Sequence, residues 1–206
     1  MPSSIGVRKL AVLLLLNAPD SHGHEGRPIQ GMTRLQKLLF LVWKDLGHVS
    51  SDRELEVDFS FEPERFGPAD TKLYADLDLL TALKHVDRSD GDSDSSSQLS
   101  IEEATEDDLS FDYLMGDEEV ARDYAGVEKT EVTFRITESG IHLLKRLEAG
   151  MSGRSLELFK RLSKTAADIR KQYGDWPLEK LLRFVYSKYP DMTTSSEIRG
   201  RVLGKY

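Results

Sequence analysis

The stretch FEPERFGPADTKLYADLDLL, residues 61–80, restricts the chain more than any other. Two prolines bracket an aromatic residue and a glycine, so the backbone has little freedom between residues 63 and 68. Proline holds φ near about −65° and donates no N–H, whereas glycine reaches conformations closed to other residues. Upstream, VDFSFE alternates Val57, Phe59 and Phe61 on one face, which predicts a half-buried strand. Downstream, Leu73, Leu77 and Leu80, with Tyr74, give a helix one apolar face. Pro68 suits the first helical position, and Gly67 suits a cap or a positive φ. The turn is therefore expected to be structural, with Phe66 buried and the Gly-Pro pair setting the angle at which this third helix leaves the strand.

Periodicity predicts the other elements. Residues 5–17 form a first helix, apolar on most sides and hence buried. A polar loop, APDSHGHEGRPIQG, follows it. Helix two, TRLQKLLFLVWKDLG, opens on Thr33-x-x-Gln36, the spacing of a capping box, and Gly47 is placed to end it. Val132, Phe134 and Ile136 alternate as a strand, and Thr137 caps a fourth helix with Ile141, Leu144 and Leu147 inward. Leu156, Phe159, Leu162, Ala166, Ile169 and Tyr173 line a fifth. Pro177 starts a sixth, whose stripe runs from Leu178 to Tyr189 before Pro190 stops it.

Charge is distributed unevenly. The net charge is −8, but residues 87–123 carry 14 acids against two bases. A mildly basic body thus surrounds an acidic insert too poor in apolar surface to fold alone. With no cysteine, disulfides, zinc fingers and Cys nucleophiles are excluded, and a reducing cytoplasm is the expected setting. VRKLAVLLLLNAPDS resembles a short signal peptide, but no small-x-small cleavage site follows it. A buried first helix is the better reading, and no membrane partner is expected.

Three helices, a strand, a helix-flanked β-ribbon and a further helix follow the order of a winged helix. The expected fold is mainly α (α+β): a winged-helix-like core over residues 1–150, with an acidic insertion at 88–127 in the wing. Residues 151–206 add C-terminal helices to the same core. TRLQKLLFLV, the F-x-F-E-P-E-R-F-G-P run, LYADLDLL and LLRFVYSKYPDMT together resemble the YwgA-like prokaryotic proteins and, more distantly, the Panacea domain of SocA-type antitoxins. The likeness covers residues 5–86 well and 128–195 loosely. It implies a winged-helix-related fold without known catalysis and, on the Panacea side, neutralisation of a toxin partner. Gln36, Lys37, Phe66, Gly67 and Pro68 match its pattern as structural positions.

No catalytic constellation is evident. DGDSDSSSQLSI offers Asp90, Asp92 and Asp94 at EF-hand spacing, but Ser95 stands where glycine is needed and Ile101 where the bidentate acid belongs. His22, His24 and Glu25 share one loop without a further ligand converging on them from elsewhere in the sequence, so no metal or cofactor is expected. His48, His85 and His142 show no pairing. For nucleic acid, the candidate phosphate contacts are Arg34 and Lys37 on helix two, Arg65 and Lys72 beside the turn, and Lys129 and Arg135 on the ribbon. Against them, Asp70, Asp76 and Asp78 make helix three acidic, a helix that would repel phosphate. On helix five, Arg154, Lys160, Arg161, Lys164, Arg170 and Lys171 recur opposite the apolar stripe. Lys160, Arg161 and Lys164 are candidate contacts for an acidic partner or for the insert itself, with Tyr113 and Met115 as an apolar anchor. The expected function is therefore non-catalytic binding of a protein partner, antitoxin-like or defence-associated. A winged-helix DNA-binding regulator is the alternative, and a homodimer fits either.

Overall fold

The computed structural model describes residues 5–49, 59–89 and 132–204. In chain order the elements are α1 (Val7–Asn17), β1 (Ile29–Gln30), α2 (Met32–Val49), β2 (Glu62–Glu64), β3 (Gly67–Ala69) and α3 (Lys72–Ala82). There follow β4 (Val86–Ser89), β5 (Thr133–Ile136), α4 (Glu138–Gly150), α5 (Gly153–Tyr173), α6 (Leu178–Lys188), a 3-10 turn at Pro190–Thr193 and the short α7 (Arg199–Val202). The acidic insert falls, beyond Ser89, outside the described residues, as do Val57, Tyr113, Met115 and Lys129. Among the described residues no helix is long and apolar enough to cross a membrane.

Every residue from Leu10 to Leu16 is buried, which only a helix enclosed on all sides achieves. α1 lies against α5 on one side and against α3, α4 and β5 on others. Each leucine so enclosed is worth about 1.5–3 kcal/mol relative to exposure. α5 packs on both α1 and α2, and its inward residues Phe159, Leu162, Ala166, Ile169 and Tyr173 join the same apolar cluster as the first three helices. The C-terminal helices are thus part of one core. α6 completes it with Leu181, Leu182, Val185 and Tyr186.

A three-stranded antiparallel sheet, in the order β1-β5-β4, closes one side. Its register sets Ile29 opposite Phe134 and Val86 opposite Ile136, so the apolar members face the core while Asp87 and Arg135 pair outward. Thr137 caps α4 as its position indicates. Its Oγ1 accepts from the Gly140 N–H at 3.1 Å and donates to the Lys84 carbonyl, tying the helix start to the end of α3.

The Phe-Gly-Pro turn differs from expectation in one respect. Pro68 does not open α3; it sits inside β3, which pairs with β2 as a two-stranded hairpin. Three further residues pass before the helix starts at Lys72. Phe66 is buried as anticipated, and Gly67 takes φ +84. A Cβ at Gly67 would lie 2.6 Å from Cε1 of Tyr186, so the glycine lets the hairpin lie against the α6 ring. The hairpin holds α6 as well as aiming α3.

Helix two also departs from its predicted start. It begins at Met32, with Leu35 N–H bonding the Gly31 carbonyl, and runs beyond Gly47 to Val49. Gln36 does not reach back to a cap. Its amide instead accepts from Asp70 N–H at 3.0 Å and donates to Asp70 C=O at 3.1 Å, a two-point clasp on the backbone of one residue. The competing interaction wins because this backbone unit is buried and would otherwise lack partners. The Asp70 carboxylate accepts from the N–H groups of Ser60 and Lys72, the latter at the start of α3.

Replacing Gly67 by valine combines the left-handed φ with the collision against Tyr186. Gly67→Val is expected to destabilise the fold by about 1–3 kcal/mol, measured by chemical denaturation. A midpoint unchanged from wild type would remove this account of the turn.

Candidate functional site

The residues nominated for phosphate contact are mostly committed elsewhere. Lys37 is 2% exposed, and its ammonium donates to the Pro68 carbonyl at 3.1 Å. Arg34, half-buried, donates to the carbonyls of Gly174 and Trp176, fastening α2 to the α5–α6 connection. Arg65 pairs with Glu197 at 2.7 Å, and Lys72 donates to Ser60 Oγ. Arg135 remains on the outer face of the sheet opposite Asp87. These groups form no continuous basic track.

The basic row on α5 is similarly divided. Lys160 and Lys164 are exposed, but Arg161 is half-buried and donates to the Leu46 carbonyl in the last turn of α2. Arg170 lies on the inner side, not opposite the stripe: it is 2% exposed and four residues on from buried Ala166. That i, i+4 spacing was the signal available in the sequence. The partner-contact set is thereby reduced to the two exposed lysines among the described residues.

The acidity of α3 is likewise internal rather than external. Asp70 and Asp76 are buried; Arg8 binds Asp76 and lies 3.7 Å from Asp70, and Lys9 meets Asp76 at 2.8 Å. These charges neutralise one another between α1 and α3, so they do not project repulsion outward. The outward surface of α3 presents Ala75, Asp78, Leu79, Ala82 and Leu83 at helical spacing. Leu79 is 45% exposed and Leu83 53%. Asp78 is the acid among them, 3.6 Å from Arg88 on β4.

A second feature joins residues far apart in sequence. The α1–β1 loop folds around the buried carboxylate of Asp20, which accepts from the backbone N–H groups of His22 and His24 at 2.8 and 2.9 Å and from Arg27 at 3.1 Å. Ser21 donates to Asp175 through both its backbone N–H and its hydroxyl. The loop is thus fastened to the end of α5. Asp20, His22 and Asp175 each offer a ligand atom within 4.8 Å of the others. The sequence showed His22 but not its neighbours, because Asp175 arrives from 153 residues away.

Burial alone would raise the Asp20 pKa, but the His24 and His22 N–H groups and Arg27 outweigh it and hold the carboxyl well below the usual carboxylate range. Asp175 is also lowered, chiefly by the Ser21 hydroxyl. These bonds occupy the oxygens that a metal would need, and Arg27 brings a positive charge to the same spot. The trio therefore stabilises the loop better than it would hold a cation.

Arg170 stands beside this loop. It donates to the carbonyls of Arg27 and Pro28 at 3.0 and 3.2 Å, while its Nε has no hydrogen-bond partner. Burial pulls its guanidinium below the ordinary arginine value; Asp175 and Asp20 oppose that from a distance, and Arg34 and Arg27 add to it. The side chain curls over Gly174, where any Cβ would fall 2.9 Å from Arg170 Cδ. Compared with family models, with curated proteins and with solved structures, the chain matches none of them.

Asn at position 20 removes the charge while nearly preserving shape. Because the folded-state pKa of Asp20 lies below its unfolded value, its stabilisation is complete above about pH 4 and is lost as pH falls from there through the folded value. Asp20→Asn is thus expected to melt lower than wild type at pH 7, with the difference narrowing below about pH 4. Parallel melting curves at every pH would contradict this.

Proposed function

We propose that the protein is a non-catalytic binding module of winged-helix type, antitoxin-like or defence-associated, that engages a protein partner through the outer surface of α3. The order α1-β1-α2-α3-β4-β5, into which the β2-β3 hairpin is set between α2 and α3, with a sheet arranged β1-β5-β4, supports the winged-helix assignment. In that architecture the third helix is the one offered to a macromolecule.

The observation that carries the proposal is the exposure of Leu79 and Leu83, flanked by Ala75 and Ala82, on this helix. Base edges are read chiefly by arginine, lysine, asparagine and glutamine side chains, and none of these is among Ala75, Asp78, Leu79, Ala82 and Leu83. It supplies apolar area, which gains free energy when covered by another protein. The preference for protein over DNA thus rests on the apolar character of α3 rather than on repulsion by its acids. A toxin or defence-system component is the partner class implied by the Panacea resemblance. A second copy of this chain is an outcome that the same test separates.

Replacing both leucines with glutamate tests this directly, because the two side chains are exposed and contribute little to the core. The double variant Leu79→Glu, Leu83→Glu should retain the wild-type melting temperature within about 1 °C. Its capture of the protein recovered stoichiometrically with wild type from native cells should fall about tenfold or more. Undiminished capture would overturn the assignment. So would duplex DNA binding by wild type whose affinity falls with salt and is insensitive to the two substitutions. Size-exclusion chromatography with light scattering distinguishes loss of a heteromeric partner from loss of self-association.

A further inference from the structure

Between the α1–β1 loop, the start of α2 and the end of α5 lies a cleft of about 540 Å³ lined by Arg27, Arg34, Arg170, Gln30, His22 and Asp175. Three guanidinium groups on one small concavity are costly to assemble. The cost is greatest at Arg170. It is 2% exposed, its Nε has no hydrogen-bond partner, and its two hydrogen bonds go to carbonyls of Arg27 and Pro28. Among the described residues no carboxylate lies within salt-bridge distance of it; Asp20, within such distance of Arg27, is also held by two backbone N–H groups. Buried cations are ordinarily matched by an anion in contact.

We propose that this cleft binds the phosphate group of a small phosphorylated molecule. The proposal goes beyond partner binding at α3 and does not depend on it. A phosphate monoester carries a charge of about −1.5 to −2 at pH 7 and has three acceptor oxygens, and guanidinium forks match that geometry. The volume exceeds what a bare ion fills and lies within the range of about 300–1,000 Å³ that accommodates small organic ligands. His22 and Gln30, both exposed on the rim, are placed to contact the organic body. Asp175 is the one acid in the lining, and its carboxylate is engaged by the Ser21 N–H and hydroxyl.

The competing occupant is a divalent cation at Asp20, His22 and Asp175. Saturation of the Asp20 oxygens by N–H donors disfavours it.

Thermal melts of the full chain at constant ionic strength, with adenosine monophosphate, inorganic phosphate, adenosine or sodium chloride, test the proposal. Adenosine monophosphate should raise the melting temperature saturably, by about 2–4 °C or more well above its dissociation constant, and adenosine should not. Gln30→Glu places a negative charge on the rim while leaving all three arginines in place. It should leave the ligand-free melting temperature unchanged and weaken adenosine monophosphate binding about tenfold or more by calorimetry. No shift beyond the chloride control would overturn the proposal, as would a shift equal in Gln30→Glu. A response to inorganic phosphate without one to adenosine monophosphate would overturn the organic phosphate assignment. Stabilisation by manganese that His22→Ala abolishes, with none by either phosphate, would identify the cleft as a cation site instead.

Discussion

The backbone N–H and C=O of Asp70 are both held by the Gln36 amide, and its buried carboxylate gathers the N–H groups of Ser60 and Lys72 with Arg8 close by. Through this one residue α2, the segment before β2, the hairpin, α3 and α1 are held in a common frame. Each bond exchanges a water contact for a protein contact and contributes about 1 kcal/mol net. Leaving the two bonds to Gln36 unmade would cost more, because those groups are buried. The direction of α3, and with it the surface presented by Leu79 and Leu83, follows from this node. Lys37 reinforces the same junction by capturing the carbonyl two residues back, that of Pro68.

Electrostatics here is mainly internal carpentry. Arg8 and Lys9 neutralise Asp76 between two helices, Arg34 and Arg161 satisfy carbonyls at helix ends and loops, and Arg27 completes the shell of Asp20. Arginine suits such work, since its planar fork reaches two acceptors and its charge complements the negative end of a helix. A formal charge map drawn from the sequence therefore overstates what a partner would meet. What emerges on the outside of α3 is apolar, and what emerges in the cleft beside α5 is cationic.

α5 connects these regions. Its inner side fills the core against α1 and α2, while its last turns carry Arg170 and lead into Gly174 and Asp175, to which the α1–β1 loop is tied. Tyr173, Trp176 and Phe184 cluster at this junction with centroids 5.0 to 5.7 Å apart, Tyr173 stacked on Phe184 and Trp176 edge-on to both. The cleft and the α3 surface are thus built on the same packed helices yet lie on separate elements, so substitutions at one need not perturb the other.

Periodicity in the sequence determined the helices and their inward residues, because burying a stripe of leucines leaves a 3.6-residue signature wherever the helix ends up. The apolar run 10–16, the stripes of α5 and α6, the Thr137 cap and the positive φ at Gly67 all follow from local chemistry of this kind. Only the tertiary structure decided the roles of the polar residues. Gln36 had the spacing of a cap but binds Asp70, Pro68 had the look of a helix start but lies in a strand, and Arg170 counted as a surface base but is buried. For Gln36 and Arg170 the deciding partner is distant in sequence, 34 residues and more than 140; Pro68 pairs with nearby Pro63, but across a hairpin that its residue type did not announce. A polar group's energy depends on which donor or acceptor meets it after the core has packed; local spacing can set a residue such as Arg170 on the inner side of its helix but does not record that meeting.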